Sequence, residues 1–431
     1  MVVAFVATAT LVAAAVACGS DERADAADDG AGPDEAPNGP ADASNRPFVP
    51  DFPDAEGADG AAPTGPALVP GCTAKATLAG YPTWMFFTRP DAPCTKAEGG
   101  GMDSHILDEL VRLVSSVPQG GRIDGHVFSI SVPSVARALV DAQTRGVEVW
   151  LSTDGAVAEE TSVAKTLLDQ LTHKVYCSSS DRTSCIGTAS GAISHTKLFT
   201  FTSATTPDGA VASDVVWLGS ANQTYSSGMN LYNNTVTIYG DTGLYGSLKG
   251  YLDDLYARTP HDDYYDPAGR GHLLEKSADV YISPELTTDL VVNRLDDVTP
   301  DATCEVRVMQ ASIRDSRMAV VDRLAALKQG GCKVQIAAHT VEPSALSALT
   351  AAGISIREKP IHDKVFVVKA KYGAALEHRV YTGSHNLSIS ANTKYDEIFV
   401  KLAAEPAAMH PVYDAFVAHF DDAWNDGTPL N

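Results

Sequence analysis

Two short stretches, Ser194-His195-Thr196-Lys197-Leu198-Phe199 and Ile361-His362-Asp363-Lys364-Val365-Phe366, decide how this chain reads. Each sets an imidazole and an ammonium two residues apart. Alternation along a strand turns both to one face, where they can converge on a single anion. Each is followed by a small polar turn, Gly219-Ser220-Ala221-Asn222 in the first case and Gly383-Ser384-His385-Asn386 in the second. Glycine allows close backbone approach, and the serine hydroxyl and asparagine amide are the right length to reach a phosphate oxygen. A lone His-x-Lys is usually a surface pair; two ordered copies at similar spacing are not produced by chance.

Working outward, the surroundings of the two copies repeat as well. In the first pass Ile106, Leu107, Leu110, Val111 and Val114 recur at helical spacing, and a strand-like run begins at Arg122. A helix over Val135 to Arg145 then ends at Gly146, before a strand over Val147 to Ser152. In the second pass a helix near Thr287 to Leu295 precedes a strand from Cys304 to Met309. A helix carrying Met318, Val321, Leu324 and Leu327 leads through Gly330-Gly331 to the strand Cys332 to Ala337. Helices alternating with strands predict parallel β-α-β units in each half. Each half closes with an amphipathic stripe, Leu244, Leu248, Leu252 and Leu255 in one and Val412, Phe416, Phe420 and Trp424 in the other, and both stripes read as core.

The doubled His-x-Lys and Gly-Ser-x-Asn pattern resembles the phospholipase D superfamily over roughly residues 100 to 425. That resemblance implies an α/β fold of two similar halves about a pseudo-twofold axis, each a mixed sheet flanked by helices. The two motifs would meet at one phosphodiester site that needs no cofactor or metal. It implies that His195 attacks phosphorus and that His362 protonates the leaving oxygen, while Lys197, Lys364, Asn222 and Asn386 hold the phosphoryl oxygens. A carboxylate that supports the opposite histidine usually follows Gly-Ser-x-Asn. Here Asp396-Glu397 fill that place in the second copy and Asn233-Asn234 in the first, so Glu397 or Asp396 is expected behind His195 and an amide or another group behind His362. The family's Asp five residues after the motif lysine is Thr202 in one copy and Lys369 in the other. Ser220 and Ser384 read either as substrate-binding or as small turn residues, and His385 as substrate-facing or solvent-facing. His126 reads as structural, and the tyrosines between Tyr225 and Tyr265 read as packing residues, with a lipid-facing rim as the alternative.

Composition bounds the rest. The chain has 431 residues, of which 54 are acidic and 32 are Lys or Arg, for a net charge of −22. About half of that excess falls in residues 19–60. An acidic body repels a polyphosphate backbone, so nucleic acid is an unfavoured partner unless Lys359, Lys364, Lys369 and Lys371 form a basic groove. Residues 2–17 form an apolar stretch too short to span a bilayer comfortably, and with Ala15-Val16-Ala17-Cys18-Gly19 they read as an export signal. Cleavage there leaves either a lipidated Cys18 or a freely secreted protein. The expected organisation is an export segment over 1–18, a disordered acidic tether over 19–70, and halves over 71–266 and 267–431, in a monomer with a phospholipid substrate and a membrane-surface partner. In an oxidising compartment the six remaining cysteines pair locally, Cys72 with Cys94, Cys177 with Cys185 and Cys304 with Cys332; zinc is the alternative, without a Cys-x-x-Cys to support it. Three functions remain: a phospholipid phosphodiesterase or phosphatidyl transferase, a nuclease of the same fold, and a catalytically degenerate lipid- or protein-binding lipoprotein.

Overall fold

β-branched and aromatic runs bounded by Gly, Asn and Asp build two mixed sheets. The computed structural model describes residues 68–97, 102–266 and 270–430. The expected export segment, Cys18 and nearly all of the acidic tether lie outside the described residues, as do residues 267–269, where the halves were expected to join. The first half supplies β1 (Thr73–Leu78), β2 (Tyr81–Thr88), β3 (Arg122–Val127), β4 (Glu148–Asp154), β5 (His173–Cys177), β6 (Leu198–Thr205), β7 (Val211–Gly219) and β8 (Asn233–Tyr239). Its helices are α1 (His105–Ser116), α2 (Pro133–Thr144), α3 (Val163–Leu168) and α4 (Thr242–Ala257). The second half supplies β9 (His272–Leu274), β10 (Ala278–Ser283), β11 (Glu305–Ile313), β12 (Lys333–Val341), β13 (Ser355–Glu358), β14 (Lys364–Tyr372), β15 (Ala375–Gly383), β16 (Glu397–Leu402), β17 (Glu405–Pro406) and β18 (Thr428–Pro429). Its helices are α5 (Leu290–Asp296), α6 (Met318–Gln329), α7 (Pro343–Ala351), α8 (Ile389–Thr393) and α9 (Pro411–Asn425).

The strand orders show the duplication directly. The first sheet runs β1-β2-β8-β7-β6-β3-β4-β5, and the second runs β9-β10-β16-β15-β14-β11-β12-β13, with β18 added at its far edge and β17 paired to β15. The directions match too: β3, β4 and β5 are parallel, as are β11, β12 and β13, and the remaining pairs along the common order are antiparallel. The α/β fold of two similar halves is therefore present. One face of each sheet packs on its own outer helices, α1 to α3 in the first half and α5 to α7 in the second. The other faces share one core, in which Leu198, Val216 and Val236 meet Val365, Val367 and Val400 together with the apolar stripes of α4 and α9. An edge-to-face contact at 5.2 Å between Phe87 and Phe416 ties α9 to the first sheet.

Local details follow from side-chain chemistry. The expected helix near Thr287 starts later, at Leu290, because Glu285 first accepts the backbone N–H groups of Thr287 and Thr288 and Asp289 then caps the helix through Val291 and Val292. Gly146 ends α2 at φ +85°, where a side chain would be strained. Disulfides join Cys72 to Cys94, Cys177 to Cys185 and Cys304 to Cys332, the last across adjacent parallel strands that begin one residue later at Glu305 and Lys333. Three disulfides are the chemistry of an oxidising, extracellular or periplasmic compartment. Among the described residues no helix is long and apolar enough to cross a membrane.

Candidate active site

Neither His-x-Lys lies wholly inside a strand, and only Lys364, the first residue of β14, belongs to one. His195 to Lys197 precede β6, and Ile361 to Asp363 precede β14, as extended lead-ins. Each lead-in bonds to the other half as well as to its own sheet. Ser194 forms a parallel bridge with Asp396, and the His195 N–H donates to the Asp396 carbonyl at 3.0 Å. Tyr232 bridges Ile361, and the His362 N–H donates to the Tyr232 carbonyl at 2.8 Å. The same exchange, made twice, brings the two motifs to the seam between the halves.

The side chains repeat the exchange. His195 Nδ1 lies 2.8 Å from Glu397 Oε1, and His362 Nδ1 lies 2.8 Å from Asn233 Oδ1. The Asn233 amide donates to the carbonyls of Ser227 and Leu231, which fixes its oxygen as the acceptor facing His362. Each imidazole is therefore held at Nδ1 by the opposite half, with Nε2 as the remaining ring nitrogen of each. Lys197 Nζ and Lys364 Nζ both donate to the carbonyl oxygen of their own motif histidine at 2.7 Å, and both lysines are fully buried. Phe128, beyond the end of β3, stacks edge-on to His195 at 4.7 Å and lies 4.9 Å from Lys197 Nζ.

The motif glycines are explained by backbone crowding. A Cβ at Gly219 would sit 2.3 Å from the Asn234 carbonyl oxygen, and one at Gly383 would sit 2.3 Å from that of Ile398. The serines bind the same segments. Ser220 Oγ donates to Asn233 Oδ1 and accepts the Asn234 N–H, while Ser384 Oγ accepts the Ile398 N–H. Both hydroxyls thereby brace turn to strand. Asn222 is buried and donates its amide to Ser227 Oγ; Asn386, its counterpart, is half-buried. His385 is buried rather than solvent-facing, and burial, with Arg317 adding to it, lowers its pKa to about 4.

Asp396 and Glu397 separate in role. Glu397 faces His195, whereas the Asp396 carboxylate accepts the backbone N–H groups of Cys185, Ile186 and Gly187 and so closes the disulfide loop onto the seam. Burial pushes Asp396 up to about 6. The residues inside the two motifs differ. Thr196 bonds the Tyr251 hydroxyl at 2.8 Å, while Asp363 takes the Asn234 amide at 2.5 Å and His419 Nε2 at 2.8 Å. Sequence reading found neither His419 nor Phe128, since no motif marks them. Where the family's Asp was expected, Thr202 accepts the Arg122 N–H at the start of β3 and Lys369 pairs with Glu305. His126 bonds Ser152 and the Ser194 carbonyl, consistent with a structural role. Tyr232, Tyr239, Tyr251 and Tyr264 are buried in the core.

The four lysines proposed as a basic groove do not form one. Lys364 is buried, and Lys359, Lys369 and Lys371 pair with Asp91, Glu305 and Asp301. Among the described residues no group of three or more His, Cys, Asp or Glu is arranged to hold a metal ion.

Two α/β repeats that exchange an imidazole-supporting side chain across their seam define a phosphodiesterase-type fold of the phospholipase D superfamily. The family model described as cardiolipin synthase, PLD-like domain matches residues 119–254 and 300–424, one segment in each half, and the chain belongs to that family. Among solved structures, phosphatidylserine synthase from Haemophilus influenzae Rd KW20 is similar over 84% of this chain and 90% of its own, at 11% identity and a TM-score of 0.52, a likeness of fold. Nuc from Salmonella typhimurium, a phospholipase D family member, is 26% identical over 36% of this chain and 98% of its own, with a TM-score of 0.29. NucT from Helicobacter pylori is 20% identical over 35% of this chain and 87% of its own, with a TM-score of 0.27. A search of curated proteins found no match.

Proposed function

We propose that the protein is an exported phospholipase D-type phosphodiesterase that hydrolyses phospholipids or transfers their phosphatidyl group. One observation carries this reading: each motif histidine is anchored at Nδ1 by the opposite half, with a carboxylate behind His195 and a neutral amide behind His362. With Nδ1–H bonded to Glu397, the lone pair of His195 lies on Nε2, which attacks phosphorus. The ring gains positive charge as the P–N bond forms, and the adjacent carboxylate stabilises it. The P–O bond to the leaving alcohol breaks, and His362, backed by an amide that does not hold its proton electrostatically, gives that proton to the departing oxygen. His362 then takes a proton from water or an acceptor alcohol, whose oxygen attacks phosphorus and restores His195. Lys197 and Lys364, with Asn222 and Asn386, neutralise the equatorial oxygens.

The family's description favours a phosphatidyl substrate, and the acid-paired lysines together with the net charge of −22 favour lipid over nucleic acid. Asp396 acts in this reading through the loop it closes. The protein works as a monomer, exported and either secreted or held at a membrane by a lipid on Cys18. The test offers the full chain, without added metal, phosphatidylcholine or phosphatidylglycerol vesicles and single-stranded DNA, with His195→Ala as control. Head-group release that disappears in the variant supports the lipid reading. DNA cleavage alone replaces it with a nuclease, and no turnover by a folded protein leaves a binding role.

A further inference from the structure

The two halves are unequal beside their catalytic pairs. In the second half Gln310 of β11 lies directly opposite Lys364 of β14, and the bond from the Ala311 N–H to the Asp363 carbonyl carries that register on, so that Ser312 stands level with His362. Opposed residues of an antiparallel pair project from one face, which sets the Gln310 and Ser312 side chains beside the His362–Lys364 pair. Gln310 is 0% exposed and Ser312 4%, yet neither carboxamide atom of Gln310 nor Ser312 Oγ has a hydrogen-bond partner among the described residues. His385, in the turn after β15, is 1% exposed with both ring nitrogens in the same condition. It sits 5.8 Å from the ring of Phe399, on the strand that begins with Glu397.

A buried polar group without a hydrogen-bond partner is costly, so three such side chains are a poor solution to packing alone. The first half repeats only part of it, since Ser129 is the counterpart of Ser312. The register that sets His126 opposite Leu198 corresponds to Met309 opposite Val365, which makes Val127 the counterpart of Gln310 and Phe128 that of Ala311. Ala221 is the counterpart of His385. At the positions of Gln310 and His385 the first half is therefore apolar, with Phe128 beside His195, whereas the second half carries a carboxamide and an imidazole that has Arg317, Asp289 and Glu397 as its charged neighbours.

We propose that Gln310, Ser312 and His385 form a subsite for the alcohol portion of the diester on the His362 side, and that this alcohol is uncharged and hydroxyl-bearing. The inference rests on the reading of His195 as nucleophile: in-line displacement puts the leaving oxygen opposite the attacking nitrogen, on the side of His362. A carboxamide and a hydroxyl each offer a donor and an acceptor, and a neutral imidazole offers one of each, a set that suits hydroxyl groups. A quaternary ammonium makes hydrogen bonds with none of them. An acceptor alcohol that replaces the leaving group occupies the same subsite, so these residues also select the alcohol in transfer.

The test is calorimetric titration of the full chain in a His195→Ala background, which prevents turnover, with glycerophosphoglycerol and with glycerophosphocholine. The glycerol diester should bind more tightly. Gln310→Val, which installs the first-half residue, should weaken it about tenfold and change the choline diester less than twofold. His385→Ala, also the first-half residue, supplies the second variant should Gln310→Val fail to fold. Equal affinity for the two diesters, binding of neither, or a preference that survives both substitutions would overturn the proposal. Failure of the catalytic reading looks different: no turnover of any diester by the protein carrying His195, with the binding preference intact.

Discussion

Asn233 stands in the first half where Glu397 stands in the second. Gly219 pairs with Thr235 and Gly383 with Phe399, so each of the two side chains lies two residues before the partner of its own half's motif glycine. Each accepts Nδ1 of the opposite histidine at 2.8 Å. The backbone arrangement is symmetric and the charge is not, and that difference assigns unlike roles to two imidazoles in like surroundings.

Exchanging carboxylate and amide should therefore have different consequences on the two sides. Glu397→Gln keeps a hydrogen-bond acceptor behind His195 but removes the charge that stabilises the forming phosphohistidine, and kcat should fall by about 10²–10⁴ with little change in KM. Asn233→Asp should instead slow leaving-group protonation, with a smaller loss for diesters of acidic alcohols such as 4-nitrophenol. Steady-state rates on 4-nitrophenyl and alkyl diesters separate the two effects. Equal losses in both variants on both substrates would contradict the assignment.

Trapping the intermediate locates the covalent bond. His362→Ala removes the group that activates water, so a 4-nitrophenyl diester, whose leaving group needs no proton, should phosphorylate the variant and stall. Acid-labile, base-stable label should then be found on the peptide containing His195, read by mass spectrometry, and His195→Ala should take up none.

Asp363 offers a structural test of the seam. Its carboxylate binds Asn234 of the first half and His419 of α9, all of them buried. Asp363→Ala leaves two buried polar partners unmatched and should cost about 3 kcal/mol, seen as a lower denaturant midpoint.

The duplicated order of helices and strands was legible because apolar period changes along the chain, and the motifs because they recur in that frame. Phase was harder to read. Successive residues of a strand face opposite sides, so Asp396 and Glu397 could not both reach His195, and only the pairing of β16 tells which does. The lead-ins were mistaken for strand because an extended segment bonded to the opposite half has the same alternation as one inside a sheet. Phe128, Gln310 and Ser312 are common strand residues. Their meaning lies in which lysine or histidine the register puts beside them, and a single sequence does not contain that register.

The Cys304–Cys332 disulfide lies at the start of β11 and β12, while the residues beside the motif lie at the far end of β11. Closing a loop of 28 residues removes unfolded-state entropy of about 3–4 kcal/mol. Replacing both cysteines by alanine should lower stability by up to about that amount and leave kcat unchanged at 25 °C. A denaturation curve and an activity assay on the same preparation check both halves of the prediction.

Acid should destabilise the protein through its buried histidines. Burial lowers the pKa of His126 to about 3 and that of His105 to about 4, against about 6.5 when unfolded. Between pH 6.5 and 4 the unfolded chain thus binds protons that the folded chain refuses. The stability these groups contribute is present above pH 6.5 and is lost as pH falls, at up to about 1.4 kcal/mol per pH unit for each histidine. His126→Gln keeps a group able to bond both Ser152 and the Ser194 carbonyl but cannot titrate. The variant should be less stable than the parent at pH 7 and should close part of that gap by pH 5, because its slope of stability against pH is smaller by about one proton. Guanidinium unfolding at half-unit intervals measures both slopes, and parallel slopes would show that His126 takes up its proton equally in the folded and unfolded chains.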